Sequence, residues 1–257
     1  MIVRKTPVEI EAMAKAGEIH VRVMNLIAGK IRAGVTTGEL DAAAEKFIRS
    51  QGATPAFKGY RGFPGSICAS PNHMVVHGIP GKFKLRKGDI LSVDIGVVKD
   101  GWVADAARTF PVGEVSAVAA KLLQVTEDAL FRAVDSCRTG NRLGDVGWAV
   151  QEHVESNGFS VVRSLVGHGI GRNMHEEPQI PNYGPPGKGV VLEEGMVLAI
   201  EPMVTAGRHM VRMGDDGWAI YSQDGSLAAH FEFTVAITAA EPRILTPWHH
   251  PAAQAAA

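Results

Sequence analysis

The chain has 257 residues, 46% of them hydrophobic, with 26 basic and 27 acidic side chains, enough for one large domain or two small ones at a net charge of −1. That balance gives no reason to expect a polyanion or an anionic membrane as partner, so direct nucleic-acid binding is not expected. Cys68 and Cys137 belong to no CxxC pair, and no apolar run reaches the roughly eighteen residues of a membrane span, so neither a disulfide framework nor a transmembrane helix is expected.

The opening MIVRKTPVEIEAM turns charged at once, and a cytoplasmic chain is expected from it. Thr6-Pro7-Val8-Glu9 combines an N-cap, a proline at the first helical position and a capping-box glutamate, so a helix starts there. Ile10, Met13, Ala14, Gly17, Val21 and Met24 continue it at helical spacing, and a second helix is predicted over 37–50, ended by Gly52. A Gly/Pro-rich loop over 58–66 follows, then strands near 67–76 and 90–98. A hairpin turning at Asp100-Gly101 returns to about 112. Helices are predicted near 117–137 and 143–156, and strands alternate with Gly/Pro loops from Ser160 to Ile237. The end, 248–257, reads as a flexible tail whose His249 and His250 are solvated.

Shifting the sequence by 106 residues superposes Gly34, Gly38, Ala43, Ser50 and Gly52 on Gly140, Gly144, Ala149, Ser156 and Gly158. This points to one domain built by internal duplication, with halves of roughly 6–112 and 113–240. The same shift carries Asp94 to position 200, beside Glu201.

The segment VDIGVVKDGWVAD sets two acids, Asp94 and Asp105, inside a run of strand formers. A two-residue turn at Asp100-Gly101 places Asp94 opposite Ala107, with Asp105 its diagonal neighbour on the same face. Two carboxylates on one buried face repel, so either one takes up a proton or a cation sits between them. Glu201 in MVLAIEPMV and Glu232 in HFEFTVAIT repeat the pattern, each an acid where a core residue belongs. His168 lies in VGHGIG, between glycines that allow close approach. Four carboxylates and one imidazole without a thiolate suit a pair of divalent ions (Mn, Fe, Co or Zn) and hydrolytic chemistry.

The ordered set Asp94, Asp105, His168, Glu201, Glu232, within VDIG, DAARTF, GHGIG, IEPM and FEFT, resembles the type I methionine aminopeptidases, in their short bacterial form, from about Thr6 to Ile237. The resemblance implies an α+β pita-bread fold: two pseudo-twofold halves of antiparallel sheet covered by helices. It implies that Asp94 chelates one ion, that His168 and Glu201 bind the other, and that Asp105 and Glu232 bridge them, with Glu201 exchanging protons with the attacking water. It places His77, in VVHGIP, near the scissile amide nitrogen, and His175, in RNMHEEP, against the carbonyl oxygen. His20, His73 and His153 are assigned to the surface. Phe57, Tyr60, Phe63, Cys68, Met174 and Trp218 match the slot for the methionine side chain; the resembling enzymes often carry Cys, Tyr and Phe at the positions of Phe57, Phe63 and Met174. The implied activity is removal of N-terminal methionine from nascent chains with a small second residue, by a monomer, with ribosome association among the expected partnerships. Two other readings stay open: an X-Pro aminopeptidase or prolidase, and a metal-free binding module on the same fold.

Overall fold

In the computed structural model, which describes residues 1–249, the capping box at Thr6 acts where the sequence places it. Thr6 Oγ1 accepts from the Glu9 amide while the Glu9 carboxylate accepts from Thr6 N–H, opening helix α1 (Pro7–Ala28). Thr36 and Glu39 repeat the exchange at α2 (Thr37–Ser50). Strand β1 (Cys68–Pro71) pairs antiparallel with β2 (Ile90–Lys99), which turns into β3 (Trp102–Pro111). Asp100 and Gly101 both take positive φ, 51° and 76°, the backbone a two-residue hairpin turn needs.

The second half begins with α3 (Ala117–Asp135) and α4 (Leu143–Ser156). A five-stranded antiparallel sheet follows, built from β4 (Gly167–Gly169), β5 (Glu176–Ile180), β6 (Val197–Ile200), β7 (Phe233–Ala236) and the short strand Arg243–Ile244. Two smaller three-stranded sheets, one of them joining Met203–Thr205 to Ala228–His230, and the short strand Thr54–Pro55 on the edge of β2 complete the described strands.

The halves correspond bond for bond. Gly34 N–H donates to the Leu85 carbonyl and Gly140 N–H to that of Leu192; Thr37 N–H reaches Phe83 and Leu143 N–H reaches Val190. The helices therefore keep the 106-residue offset, but the loops after them add one residue, so that Leu85 matches Leu192 and Ile90 matches Val197. Glu201 itself, rather than its neighbour at 200, is the counterpart of Asp94.

Alternation along these strands separates two chemistries. Val93, Ile95 and Val97 of β2, with Leu198 and Ile200 of β6, enter the main core beneath the four helices. Asp94 and Gly96 leave on the other face. The seam between the halves is laced by hydroxyls: Thr234 Oγ1 donates to the Asp105 carbonyl at 2.7 Å, Thr109 Oγ1 to the His230 carbonyl at 2.8 Å, and Glu232 N–H reaches the Ala107 carbonyl at 2.9 Å.

Three expectations need correction. His20 is fully buried on the core face of α1, where Nε2–H donates to the Ala106 carbonyl at 3.1 Å, and His153 is half-buried; of the three histidines assigned to the surface only His73 is exposed. Trp248, assigned to the tail, is fully buried and donates from Nε1 to the Glu232 carbonyl. His249 packs its ring 5.0 Å from Phe131 and 5.1 Å from Phe233, so it is not a solvated residue; His250 and the rest of the expected tail lie outside the described residues.

Candidate metal centre and substrate slot

The hairpin keeps the expected register, with Asp94 opposite Ala107 and Asp105 opposite Gly96, so both carboxylates point from the same face of β2 and β3. Glu201 follows the last residue of β6 and Glu232 precedes the first of β7, two strands paired directly with each other. His168 is the middle residue of β4, opposite Ala199. All five line one cavity of about 310 Å³, and donor atoms of Asp105, His168 and Glu232 come within 4.8 Å of one another.

Electrostatics show that this set is unstable as a group of bare anions. Burial pushes Asp94 up to about 7. It drives Asp105, Glu201 and Glu232 well above the usual carboxylate range, and the neighbouring acids add to the rise in each. Asp94 Oδ1, Asp105 Oδ1 and Glu232 Oε1 are buried and accept no hydrogen bond. A divalent cation is the partner this chemistry calls for, since it satisfies hard oxygens and cancels their repulsion together.

His168 is prepared for the same role. Nδ1–H donates to the Gly169 carbonyl at 2.9 Å, which leaves the Nε2 lone pair facing the acids, 3.6 Å from Glu201 Oε1. Burial holds its pKa down at about 4, so the ring is neutral and able to ligate. The glycines beside it are required: a Cβ on Gly167 would lie 2.4 Å from the Ala199 carbonyl oxygen, and one on Gly169 2.1 Å from that of Glu177.

At the mouth of the cavity stand two further exposed histidines, His77 and His175. His77 adopts φ 60°, a left-handed conformation unusual for a residue with a Cβ and typical of functional positions. His175 Nδ1 lies 2.8 Å from the Tyr60 hydroxyl and its ring stacks on Tyr60. When the hydroxyl donates to Nδ1, Nε2–H is left free to donate elsewhere.

The six slot residues form an apolar cluster apart from the main core: Phe57, Phe63, Cys68 and Met174 are buried, with Tyr60 and Trp218 partly so. Phe63 meets Trp218 edge-on at 5.1 Å. Gly96, opposite Asp105 on the face that carries Asp94, keeps room beside this cluster: a Cβ there would stand 2.8 Å from Phe57 Cε1 and 2.9 Å from Met174 Cε. Burial, with the charge of Asp94 next, raises the Cys68 thiol well above its usual range, so this side chain is a wall rather than a nucleophile.

All thirteen residues singled out in the sequence border this one cavity. The sequence reading missed His230, 2% exposed on the cavity wall, along with Arg61, Val76, the segment 164–166 and Met203. A signal for His230 was present. It alternates with Glu232 and Thr234 in HFEFT, the spacing of one strand face.

Known relatives share this geometry's family and fold. The model of metallopeptidase family M24 matches residues 11–239. The methionine aminopeptidase of Clostridium perfringens is 52% identical over 246 residues, covering 96% of this chain and 99% of that one; the Escherichia coli methionine aminopeptidase is 43% identical over 94% and 92%. The crystal structure of methionine aminopeptidase from Rickettsia prowazekii superposes with a TM-score of 0.94 at 41% identity, covering 96% of this chain and all of that one. The prolidase from Pyrococcus furiosus reaches 0.78 at 26% identity and is covered over only 65% of its length. The chain is thus a metallopeptidase of family M24, with the pita-bread fold of that family and a site for divalent metal. Within the family it belongs to the methionine aminopeptidases.

Proposed function

We propose that this chain hydrolyses the N-terminal methionine of nascent proteins and peptides, preferring a small second residue, as a cytoplasmic monomer that uses two divalent ions. The observation that carries the reading is the junction of five metal-type donors with an apolar, sulfur- and aromatic-lined slot in a single cavity. A thioether is a good occupant for such a slot, because sulfur makes favourable contacts with aromatic edges. Asp94, Asp105, His168, Glu201 and Glu232 would hold the ions, donor atoms of Asp105, His168 and Glu232 lying within 4.8 Å of one another. When bound, the ions supply Lewis acidity toward the carbonyl oxygen and lower the pKa of water. Mn, Fe, Co and Zn all suit the donor set.

The chain's own groups do the rest. The slot fixes the methionine side chain and so aligns the first peptide carbonyl over the acids. Glu201 takes a proton from the attacking water and returns it to the amide nitrogen as the C–N bond breaks. His175, oriented through Nδ1 by Tyr60, donates from Nε2 to the carbonyl oxygen as negative charge grows there. His77, at the mouth, faces the leaving nitrogen.

The bond-for-bond correspondence of the helices and their following loops supports reading residues 6–112 and 113–240 as two copies of one ancestral unit within a single catalytic domain. Docking beside the ribosomal exit would suit a substrate still being made. The test is release of methionine from Met-Ala-Ser by the metal-free protein reloaded with Mn, Co, Fe or Zn, run beside X-Pro peptides. Cleavage of X-Pro alone would move the assignment to a proline-directed peptidase.

A further inference from the structure

The pseudo-twofold that carries Asp94 onto Glu201 also assigns a counterpart to Asp105. Ser92 pairs with Thr109 in the first half, and Ala199 pairs with Thr234 in the second, so the two threonines are equivalent. Four residues earlier in the chain than each threonine stand Asp105 and His230. The hydrogen bonds obey the same symmetry: Thr234 Oγ1 accepts from Asp105 N–H at 3.0 Å and donates to its carbonyl at 2.7 Å, while Thr109 Oγ1 accepts from His230 N–H at 2.9 Å and donates to its carbonyl at 2.8 Å. Each half grips, by one hydroxyl, the residue that the other half presents to the cavity.

The imidazole of His230 is buried, and its Nε2 has no hydrogen-bond partner. It stands 3.7 Å from Glu201 Oε2 and 3.8 Å from Glu232 Oε2. Both distances are too long for hydrogen bonds. They fit the separation of atoms sharing one ion: donors about 2.0–2.2 Å from a metal lie about 3.4 Å apart at tetrahedral angles and slightly farther at wider ones. His168 Nε2 keeps the same spacing, 3.6 Å, from the other oxygen of Glu201. A histidine buried only for packing has no reason to aim an unpartnered nitrogen between two carboxylates.

We propose that His230 is a second imidazole ligand of the metal centre, binding through Nε2 on the opposite side of Glu201 from His168. This rests on the metal-centre reading above. A second nitrogen in an oxygen-rich set moves its preference toward Co and Zn and away from Mn.

Proton NMR of the full chain loaded with two equivalents of Co(II) tests it directly. An imidazole ligated through Nε2 keeps an exchangeable Nδ1–H that cobalt shifts far outside the protein envelope. Two such signals are expected from the unaltered protein and one from His230→Gln, with cobalt affinity at one position at least about tenfold weaker by calorimetry. A single shifted signal in the unaltered protein, lost in His168→Gln, overturns the proposal and leaves the metal centre intact. The count in the unaltered chain decides the matter even if a variant fails to fold. Saturating Co(II) that binds without any shifted signal overturns the proposal as well, and failure to bind Co(II) at all overturns the metal-centre reading itself.

Discussion

Lys5 and Glu176 form an ion pair beneath the loop that carries Met174 and His175, with Nζ 2.7 Å from Oε2 and the two side chains only 3% and 10% exposed. The second carboxylate oxygen of Glu176 accepts from the Asn173 amide at 3.1 Å, so the pair ties the N-terminal segment to the wall of the slot. Lys5→Ala leaves an uncompensated carboxylate in that wall. It is expected to cost about 3 kcal/mol of stability by urea denaturation. It should also lower kcat/KM by loosening Met174 and His175; unchanged stability and kinetics would mean that the pair positions nothing.

Gly96 predicts a change of binding without a change of chemistry. In Gly96→Ala the new methyl group meets Phe57 and Met174 at under 3 Å and must push one of them into the slot. KM for Met-Ala-Ser is expected to rise about tenfold or more with kcat less affected, the scale of one misplaced methyl group in an apolar pocket. Steady-state kinetics over a range of peptide concentrations separates the two constants.

Tyr60→Phe removes the hydroxyl that orients His175 and keeps the stacking ring. The expected result is a fall in kcat of about 10–100-fold with KM nearly constant, because a donor aimed at developing charge acts mainly in the transition state. A rise in KM alone would assign Tyr60 to the slot and not to the oxyanion.

His20 gives the metal-free protein a pH-dependent stability. Burial lowers its pKa from 6.5 to about 4, so between these values the unfolded chain binds a proton that the folded chain refuses. This contribution is complete above pH 6.5 and is lost as pH falls toward 4, about 3 kcal/mol in all. His20→Gln, which can still donate to Ala106, is expected to flatten the stability curve across that window when urea midpoints are compared.

Much of this arrangement was legible before any coordinates because local rules carried it. The capping box at Thr6 marked the start of α1, and Asp100-Gly101 set the hairpin register, which in turn put Asp94 and Asp105 on one face. What escaped depended on tertiary packing. His20 sits at helical spacing from Gly17 and Met24, yet its polarity argued for the surface until the Ala106 carbonyl supplied its partner. Trp248 is separated by proline from the strand Arg243–Ile244 and becomes core only because Phe233 and Arg108 lie above it. The one-residue insertion that aligns Asp94 with Glu201 lies in loops of unrelated sequence, where only hydrogen bonds reveal the match.

The central claim is that the cavity joins metal-dependent peptide hydrolysis to recognition of methionine. Stripping the protein of metal, then titrating Mn, Co, Fe or Zn while following free methionine from Met-Ala-Ser, tests both parts together. The account predicts no release without metal, release with at least one of the four ions, and loss of that release in Asp105→Ala whose far-ultraviolet spectrum stays native. Methionine release by the metal-free protein, or full activity in Asp105→Ala, would contradict it.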